Sequence, residues 1–275
     1  MYHNGLRPIT IPEKAKATVL QPAAIPSGQP LPDMLTEALE DVRFGEQLRA
    51  SAPTSIAIAV PDGTQPFPTM DILPTLLQKL FKELPSIEPA HVNIIVADGS
   101  HAHPPCKTIQ NLLELDLPRT CNLVSHDAHN APMRHFGVTR RGTPVSVNDA
   151  FGKSAFKMVL GIIEPHLFYG ISDALKTAVM GCASIESIRQ NHRLIKTGRA
   201  CVGKLGGNPM REDLTEAGGI LGIDFGVNVV LNSDGDPVAV LAGQPEGLLE
   251  RGADTCAAIF GVELAKKYDI ILASC

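Results

Sequence analysis

The sequence predicts an α/β protein whose mostly parallel sheet is flanked by helices and carries a small antiparallel excursion. Residues 55–60 and 92–97 are continuous apolar runs of strand length, a pattern typical of strands that are buried on both faces. Residues 70–84 between them have a helical pattern, so the three segments form a parallel crossover unit. A third apolar run lies at 156–165, and each run is followed by polar residues. We therefore expect the functional site at the carboxyl ends of these strands.

The chain before the first strand is predicted to be a wrapping arm rather than a separate domain. Residues 1–50 contain an extended stretch that is interrupted by prolines, followed by a short helix at 32–48. The helix has mixed apolar and acidic positions. This part of the chain carries no obvious chemistry.

The remaining elements continue the alternation of strands and helices. Pro209 with acidic residues after it indicates a helix start, because proline suits the first helical position and acids favour the helix N-terminus. The segment Asn232-Ser-Asp-Gly-Asp-Pro237 indicates a tight turn between two strands. In order, the pattern predicts a helix at 107–115, a strand at 122–125, short antiparallel strands at 134–139 and 144–148, a helix from 209, strands at 227–231 and 238–242, a helix at 245–266 and a last strand at 268–273.

Composition excludes several classes of function. The chain has 275 residues, of which 44% are hydrophobic and 19% charged, and its net charge is −5. This balance indicates a globular protein with one large domain or two ordinary ones. The negative charge gives no overall basic field for nucleic acid, and no apolar run approaches the roughly 18 residues that a membrane span needs. The first residues show no secretory signal, so we expect a cytoplasmic protein.

Familiar cysteine and glycine motifs are absent. The six cysteines form no C-x-x-C pair, which excludes zinc-ribbon and thioredoxin-like motifs. No G-x-G-x-x-G follows any strand, and Gly152-Lys-Ser154 lacks the earlier glycine of a phosphate-binding loop. A dinucleotide fingerprint and a P-loop are therefore excluded.

Three predicted strands end in groups that could carry chemistry. These groups are Asp62-Gly-Thr64, Asp98-Gly-Ser-His101 and Glu164-Pro-His166. In an open α/β sheet the ligand crevice lies outside the carboxyl ends of the strands, so the three groups can converge there. Asp-Gly is also an ordinary turn signal, and the joint arrangement carries more weight than any one group.

The stretch from His166 to His192 holds two histidines with Lys176 between them. Imidazoles suit nickel, copper, zinc or iron and also serve as general bases near neutral pH. A lysine in a dry pocket can act as a nucleophile or carry a covalently attached cofactor. Since isolated histidines and lysines are more often ordinary surface residues, the trio alone does not decide between these roles.

The polar groups belong to a longer ordered series of motifs. This series comprises Asp62-Gly-Thr-x-Pro66, Gly99-Ser-His101, His166-x-x-x-Gly170 leading to Lys176, Gly181, Asn191-His192 and Gly207-Asn208-Pro-x-Arg211-x-Asp213-x-x-Glu216-Ala217. In order and spacing the series resembles the N-terminal domain of the nickel-dependent lactate racemase family, from about residue 55 to the end of the chain. The resemblance is far more specific than any single motif.

The resemblance implies a cofactor and a role for each site residue. In that family a nickel-pincer nucleotide, a pyridinium mononucleotide that carries nickel through carbon and sulfur, is joined to a lysine, and a histidine completes the nickel coordination. The resemblance assigns the attachment to Lys176 and the nickel ligand to His192. It makes His101 and His166 the acid/base pair, places Phe168 on the pyridinium ring, and places Asp62 and Thr64 at the nucleotide end of the site.

The implied activity is racemisation or epimerisation of a small, lactate-like 2-hydroxy acid. The resemblance implies that a hydride passes from the substrate carbon to the cofactor while a histidine takes the hydroxyl proton, which gives a transient 2-keto acid. Two histidines would serve the two enantiomers. An unperturbed imidazole pKa of about 6.5 suits proton exchange near neutrality.

The chain departs from the family beside the site. Gln65, among the cofactor-binding residues, stands where the family usually has arginine, and Asp173-Ala174 replaces a pair of glycines before the lysine. Full-length members continue into a second domain that contributes to the substrate site. We therefore interpret residues 1–275 as one N-terminal-type domain, with 1–50 as its arm and 268–275 as a candidate start of a C-terminal domain. The expected partner is a C-terminal domain or a second copy of the chain.

Two alternatives to a racemase stay open at this point. The first is a degenerate or partner-dependent domain that binds a nucleotide or metal without activity of its own. The second is a conventional metal-dependent hydrolase with zinc, because His-x-His and His-x-x-His pairs can ligate metal. Its candidate ligands are His101, His103, His126 and His129.

Overall fold

A computed structural model describes residues 10–101, 112, 121–264 and 266–272. The described strands are β1 (Ile56–Pro61), β2 (Val92–Ala97), β3 (Asn122–Ser125), β4 (Met133–Val138), β5 (Pro144–Asn148), β6 (Phe156–Ile163), β7 (Pro165–His166), β8 (Gly170–Ile171), β9 (Phe225–Leu231) and β10 (Pro237–Gly243). The described α-helices are α1 (Leu31–Asp41), α2 (Phe44–Ser51), α3 (Thr69–Glu83), α4 (Asp149–Gly152), α5 (Ala174–Val179), α6 (Ile185–Arg193), α7 (Pro209–Leu221) and α8 (Leu248–Phe260). Short 3₁₀ turns lie at Pro89–His91 and Leu194–Thr197.

The central sheet confirms the predicted α/β class. Its order is β10-β9-β6-β1-β2-β3, and every neighbouring pair is parallel except β9 and β10 at the edge. The predicted antiparallel excursion is the β4–β5 pair, and a further short antiparallel pair is β7–β8. Because β1, β2 and β6 are parallel, their carboxyl ends meet at one edge of the sheet.

The two faces of the sheet bury different side chains. On one face, Ile56, Ile58 and Val60 of β1 pack in a core with the leucines of α1 and α3. On the other face, the small side chains of Ala57 and Ala59 lie in a second core with α5 and α7. Alternation of side chains along a strand produces this division, and the small residues leave room for helices to lie close to the sheet near the site.

Several predicted elements differ in extent from the structure. The helix predicted at 32–48 is two helices, because Arg43 between α1 and α2 adopts a left-handed conformation with φ of 52°. The helix predicted at 245–266 is shorter: it begins after Gly247, which has φ of 84°, and ends at Phe260. The prediction of a last strand was wrong for residues 268–272, which form no strand. The helix predicted at 107–115 lies outside the described residues except for position 112.

The described part of the N-terminal arm contacts α8 and the turn between β9 and β10. Ala23 donates its backbone N–H to the carbonyl of Ile259, and Asn232 Nδ2 donates to the carbonyl of Ile25 at 2.9 Å. Before α1, the described residues have no helix or strand, which agrees with the prediction of an extended arm. No helix in the described ranges has the length and apolar character needed to cross a membrane.

Candidate active site

A cavity of about 280 Å³ lies at the carboxyl ends of β1, β2 and β6. Two of the three predicted strand-end groups, those after β1 and β2, line it, and the third contributes His166. The helix α5 and the end of α6 close the other side. The cavity brings together all eight residues predicted for the site: Asp62, Thr64, Gln65, His101, His166, Phe168, Lys176 and His192.

His101 is oriented by the carboxylate of Asp62. Nδ1 of His101 lies 2.7 Å from Oδ2 of Asp62, so Nδ1–H donates to the carboxylate and Nε2 keeps its lone pair. Asp62 is 8% exposed, and its other oxygen accepts from the hydroxyl of Thr64 at 2.6 Å. A fixed carboxylate behind the ring stabilises an imidazolium, so this arrangement suits a general base.

His166 is held in the opposite way. Its Nδ1 accepts the backbone N–H groups of Phe168 and Tyr169, at 3.1 and 3.2 Å. The ring proton therefore lies on Nε2, and the neutral ring presents a hydrogen-bond donor. Burial lowers the pKa of His166 to about 4, with smaller contributions from the positive charge of Lys176 and Arg211 and from His192.

His192 presents a free lone pair from the last turn of α6. Its Nδ1–H donates to the backbone carbonyl of Ile188 at 2.7 Å, one turn earlier. This bond fixes the tautomer in which Nε2 is unprotonated, and metal-ligating histidines are commonly oriented in this way. His192 can therefore ligate a metal ion through Nε2.

Lys176 extends into the cavity from α5, which lies against β6. A Cβ atom on Gly161 of β6 would come within 2.4 Å of Ala174 Cα, so only glycine permits this approach. Burial lowers the pKa of Lys176, and the negative charges of Glu164, Asp62 and Asp173 oppose that shift. The same burial raises the pKa of Glu164. A lowered pKa favours the neutral, nucleophilic amine.

Tyr169 is a cavity residue that sequence reasoning missed. Its ring is 1% exposed, and its centroid lies 5.0 Å from that of His166 and 6.2 Å from that of His192. Its hydroxyl donates to Asn191 Oδ1 at 2.6 Å. An aromatic residue in the apolar run Leu167-Phe-Tyr169 is typical of core packing, so the sequence offered no separate signal for it.

The zinc cluster of the alternative interpretation does not form among the described residues. His126 is buried, with Nε2 2.9 Å from the carbonyl of Ala183 and Nδ1 3.3 Å from Nδ2 of Asn148. In the described ranges no three His, Cys, Asp or Glu side chains are grouped so that they could hold a metal ion. His103 lies outside the described residues. The described His126 therefore has a structural role.

Comparison with protein families identifies the sequence relationship. Residues 2–203 match the model of the lactate racemase N-terminal domain. A lactate racemase of Thermoanaerobacterium thermosaccharolyticum is 30% identical over 247 residues, which are 88% of this chain and 57% of that protein. A lactate racemase of Lactiplantibacillus plantarum is 29% identical over 203 residues, or 73% and 47% of the two chains. The chain thus spans about half the length of the curated relatives it matches.

Comparison of structures gives the same fold. The lactate racemase apoprotein of T. thermosaccharolyticum superimposes with a TM-score of 0.75 at 29% identity, covering 83% of this chain and 55% of that one. A protein of Thermotoga maritima superimposes with a TM-score of 0.65 at 17% identity over 86% of this chain and 61% of its own. The second match bears on the fold alone.

Proposed function

Because the chain belongs to the lactate racemase N-terminal domain family, we propose that it carries the cofactor and acid/base groups of a racemase or epimerase that acts on a 2-hydroxy acid. The observation that carries this proposal is the single cavity lined by His101, His166, Lys176 and His192. The combination of a nucleophilic amine, a metal-ligating imidazole and two further histidines in one crevice suits this chemistry better than hydrolysis.

The residues of the cavity fit a nickel-pincer nucleotide. Such a group brings most of its own metal ligands, so it requires one imidazole rather than a cluster, and His192 offers an oriented Nε2. Lys176 would attach the group covalently, since burial favours its neutral amine. Phe168, Thr64 and Gln65 would line it. When bound, the group supplies an acceptor for the hydride of the substrate carbon.

His101 is proposed as the base that takes the hydroxyl proton. Its Nε2 is unprotonated, and the Asp62 carboxylate stabilises the positive ring that forms on proton transfer. The pair is exposed enough to exchange protons with solvent, because the His101 side chain is 60% exposed. Asp62 would therefore orient the His101 ring and stabilise its protonated form, in addition to lining the nucleotide end of the site.

His166 is proposed as the hydrogen-bond donor to a substrate oxygen. It is neutral over the physiological range because its pKa is lowered to about 4, and its Nε2–H is free of the two backbone contacts at Nδ1. A neutral donor of this kind can polarise a substrate hydroxyl or hold a carboxylate oxygen. Gln65 adds an uncharged amide to the cavity, so substrate selection here differs from that of members with arginine at this position.

Intact-protein mass spectrometry combined with metal analysis tests the proposal. The chain is co-expressed with the enzymes that make the cofactor, and T. thermosaccharolyticum lactate racemase serves as the loaded control. We expect a covalent adduct that maps to Lys176 together with stoichiometric nickel, and neither in Lys176→Ala. An unmodified mass without nickel, alongside a loaded control, would contradict the proposal.

A second candidate function is a partner-dependent binding domain without turnover of its own. The coverage of about half of each curated relative favours testing it. Racemase assays with several 2-hydroxy acids are run on the loaded chain alone and after co-expression with the C-terminal domain of the T. thermosaccharolyticum enzyme. Turnover by the chain alone supports the first function, whereas turnover only with the added domain supports the second.

A further inference from the structure

We propose that Asp213 is a positioning residue of the active site, which fixes His192 and Tyr169 through the side chain of Asn191. The proposal rests on the function proposed above for the cavity, and it assigns a role to Asn191, Arg211 and Asp213, which that function leaves unexplained. Asp213 itself does not line the cavity.

Asp213 accepts three hydrogen bonds from side chains of two separate elements. Its side chain has no exposed surface, and it accepts from the hydroxyls of Thr139 and Thr143 at 2.5 and 2.7 Å. It also accepts from Nδ2 of Asn191 at 2.8 Å. The threonines lie on the β4–β5 hairpin and Asn191 lies on α6, so one carboxylate of α7 ties both elements together.

Asn191 extends this link to the two cavity histidines. Its Oδ1 accepts the hydroxyl of Tyr169 at 2.6 Å, while its Nδ2 faces Asp213. His192 is the next residue in α6, so a displacement of Asn191 moves His192 with it. The Tyr169 ring lies against the rings of both His166 and His192, with the latter edge-on. A displacement of the Tyr169 ring would therefore change its contacts with both histidine rings.

The backbone of Tyr169 is held by α7, the helix that also carries Asp213. Nε of Arg211 donates to the carbonyl of Tyr169 at 3.3 Å, and its guanidinium lies 5.8 Å from the centre of the Tyr169 ring. Burial raises the pKa of the Tyr169 hydroxyl; the Arg211 charge opposes this shift and the Asp213 charge adds to it, and the hydroxyl remains a donor. The helix α7 thus holds Tyr169 at its carbonyl through Arg211 and at its hydroxyl through the Asp213–Asn191 link.

A buried carboxylate suits this positioning role. Hydrogen bonds to a charged acceptor are shorter and stronger than neutral ones, so Asp213 restrains Asn191 more tightly than an amide would. In the described part of the chain, no ion pair involves Asp213, since the neighbouring Arg211 is paired with Asp173. The charge is therefore compensated by neutral donors, and its location depends on those donors keeping their geometry.

The test compares variants that interrupt the link with one that removes a buried hydrogen bond elsewhere. Asn191→Ala breaks the link, and Tyr169→Phe removes only the hydroxyl at its far end, which preserves the ring and the fold. The control is Ser154→Ala, because Ser154 is 3% exposed and donates to the carbonyl of Ala150 at 2.9 Å, before the start of β6. All three variants are expected to lower the midpoint of urea unfolding.

The decisive readout is the arrangement of rings in the apoprotein, measured by NMR. The chain has only three tyrosines, so selective labelling resolves the contacts between Tyr169 and the two histidine rings. We expect these cross-peaks in the unmodified chain and in Ser154→Ala, and their loss in Asn191→Ala. In Tyr169→Phe the ring protons of His166 and His192 should shift. Unchanged histidine signals in folded Asn191→Ala and Tyr169→Phe would overturn the proposal and leave Asp213 a purely structural role.

Nickel retention gives a second readout on cofactor-loaded protein. Loss of a group that orients a metal ligand typically reduces metal affinity by about 10- to 100-fold, and we expect Asn191→Ala to fall in this range with Ser154→Ala unchanged. Equal retention in the two variants would contradict the positioning role. If the unmodified chain itself takes up no nickel, the function proposed for the cavity fails, and the NMR comparison still decides the role of Asp213.

Discussion

Nδ1 of His101 lies 2.7 Å from a carboxylate oxygen of Asp62, whereas Nδ1 of His166 faces two backbone N–H groups. The first contact makes Nδ1 a donor and the second makes it an acceptor. The two histidines that line the same cavity therefore hold their protons on opposite ring nitrogens. This difference divides their chemistry at rest: His101 is ready to accept a proton at Nε2, and His166 is ready to donate a hydrogen bond from Nε2.

The Asp62–His101 contact predicts that replacing Asp62 lowers turnover while the cofactor is retained. Asp62→Asn cannot stabilise a positive His101 ring, and general base catalysis typically contributes about 10²- to 10⁴-fold. We expect kcat to fall by about 100-fold or more, with the Lys176 adduct retained in the mass spectrum. The matched control is Asp71→Asn, on the exposed surface of α3, which should leave kcat unchanged. An unaltered kcat in Asp62→Asn would exclude the base role of His101.

His166 predicts a pH dependence of stability between about pH 6.5 and pH 4. Its pKa is lowered from 6.5 to about 4 in the folded chain, chiefly by burial. As the pH falls through this window, the unfolded state binds a proton at His166 and the folded state does not, so the free energy of unfolding decreases. Above pH 6.5 both states are neutral at this ring, and its contribution is constant.

Urea unfolding of the apoprotein at several pH values checks this prediction. Other groups titrate in the same range, so the informative quantity is the difference between the unmodified chain and His166→Asn. The asparagine oxygen can accept the same backbone N–H groups but does not titrate. We expect the unmodified chain to lose more stability than His166→Asn as the pH decreases toward 4. Parallel curves would show that the His166 pKa is not lowered.

The buried pair of Arg211 and Asp173 predicts that removing one partner lowers the free energy of unfolding more than replacing both partners. Nη1 of Arg211 lies 3.0 Å from Oδ1 of Asp173, and both side chains are almost fully buried. Removing one partner of a buried ion pair typically costs about 3–5 kcal/mol, because the other charge is left uncompensated. Asp173→Ala should therefore reduce the free energy of unfolding by about this amount.

The double variant Asp173→Ala/Arg211→Met separates loss of the pair from loss of packing. Replacing a buried pair by apolar residues is often neutral or stabilising, so the double variant should be more stable than Asp173→Ala alone. Denaturant unfolding of Asp173→Ala, of Arg211→Met and of the double variant measures this coupling. A double variant that is less stable than both single variants would indicate that Arg211 acts mainly through its bonds to the carbonyls of Tyr169 and Ile171.

The sequence predicted the location of the site better than it predicted the hydrogen bonds that hold the site residues in place. Strands that end in Asp62, Asp98 and Glu164 are local patterns, and parallel pairing of β1, β2 and β6 brings their ends together. In contrast, the bond between Thr139 and Asp213 joins residues 74 positions apart, and the bond between Tyr169 and Asn191 joins residues 22 apart. Such pairs depend on how helices pack on the sheet, which periodicity does not specify.

The same limit explains why the role of Asp173 was not predicted. In the sequence it is a replacement for a family glycine, whereas in the fold it lies beside Arg211, 38 residues further along the chain. The first backbone N–H of α5 is capped by the side chain of Asn228, from β9, at 2.7 Å, and not by Asp173. Caps supplied from a distant strand leave no local signal.

The close contact between Gly161 and α5 predicts that a single methyl group added at position 161 displaces Lys176. A Cβ at this position would lie 2.4 Å from Cα and 2.6 Å from N of Ala174, and backbone atoms cannot move aside without displacing α5. Overpacking of this kind typically costs about 1–3 kcal/mol, and Gly161→Ala should also lower the fraction of chains that carry the Lys176 adduct. Gly219→Ala is the matched control, because among the described residues no atom apart from the neighbouring backbone of α7 lies within 4 Å of its added Cβ. Since alanine is a better helix former, Gly219→Ala should raise the free energy of unfolding by about 0.5–1 kcal/mol with the adduct unchanged.

Chemical denaturation measures the stability of both variants, and intact mass spectrometry measures the fraction of each that carries the adduct. Full adduct formation in Gly161→Ala would show that the α5–β6 contact does not control the reactivity of Lys176.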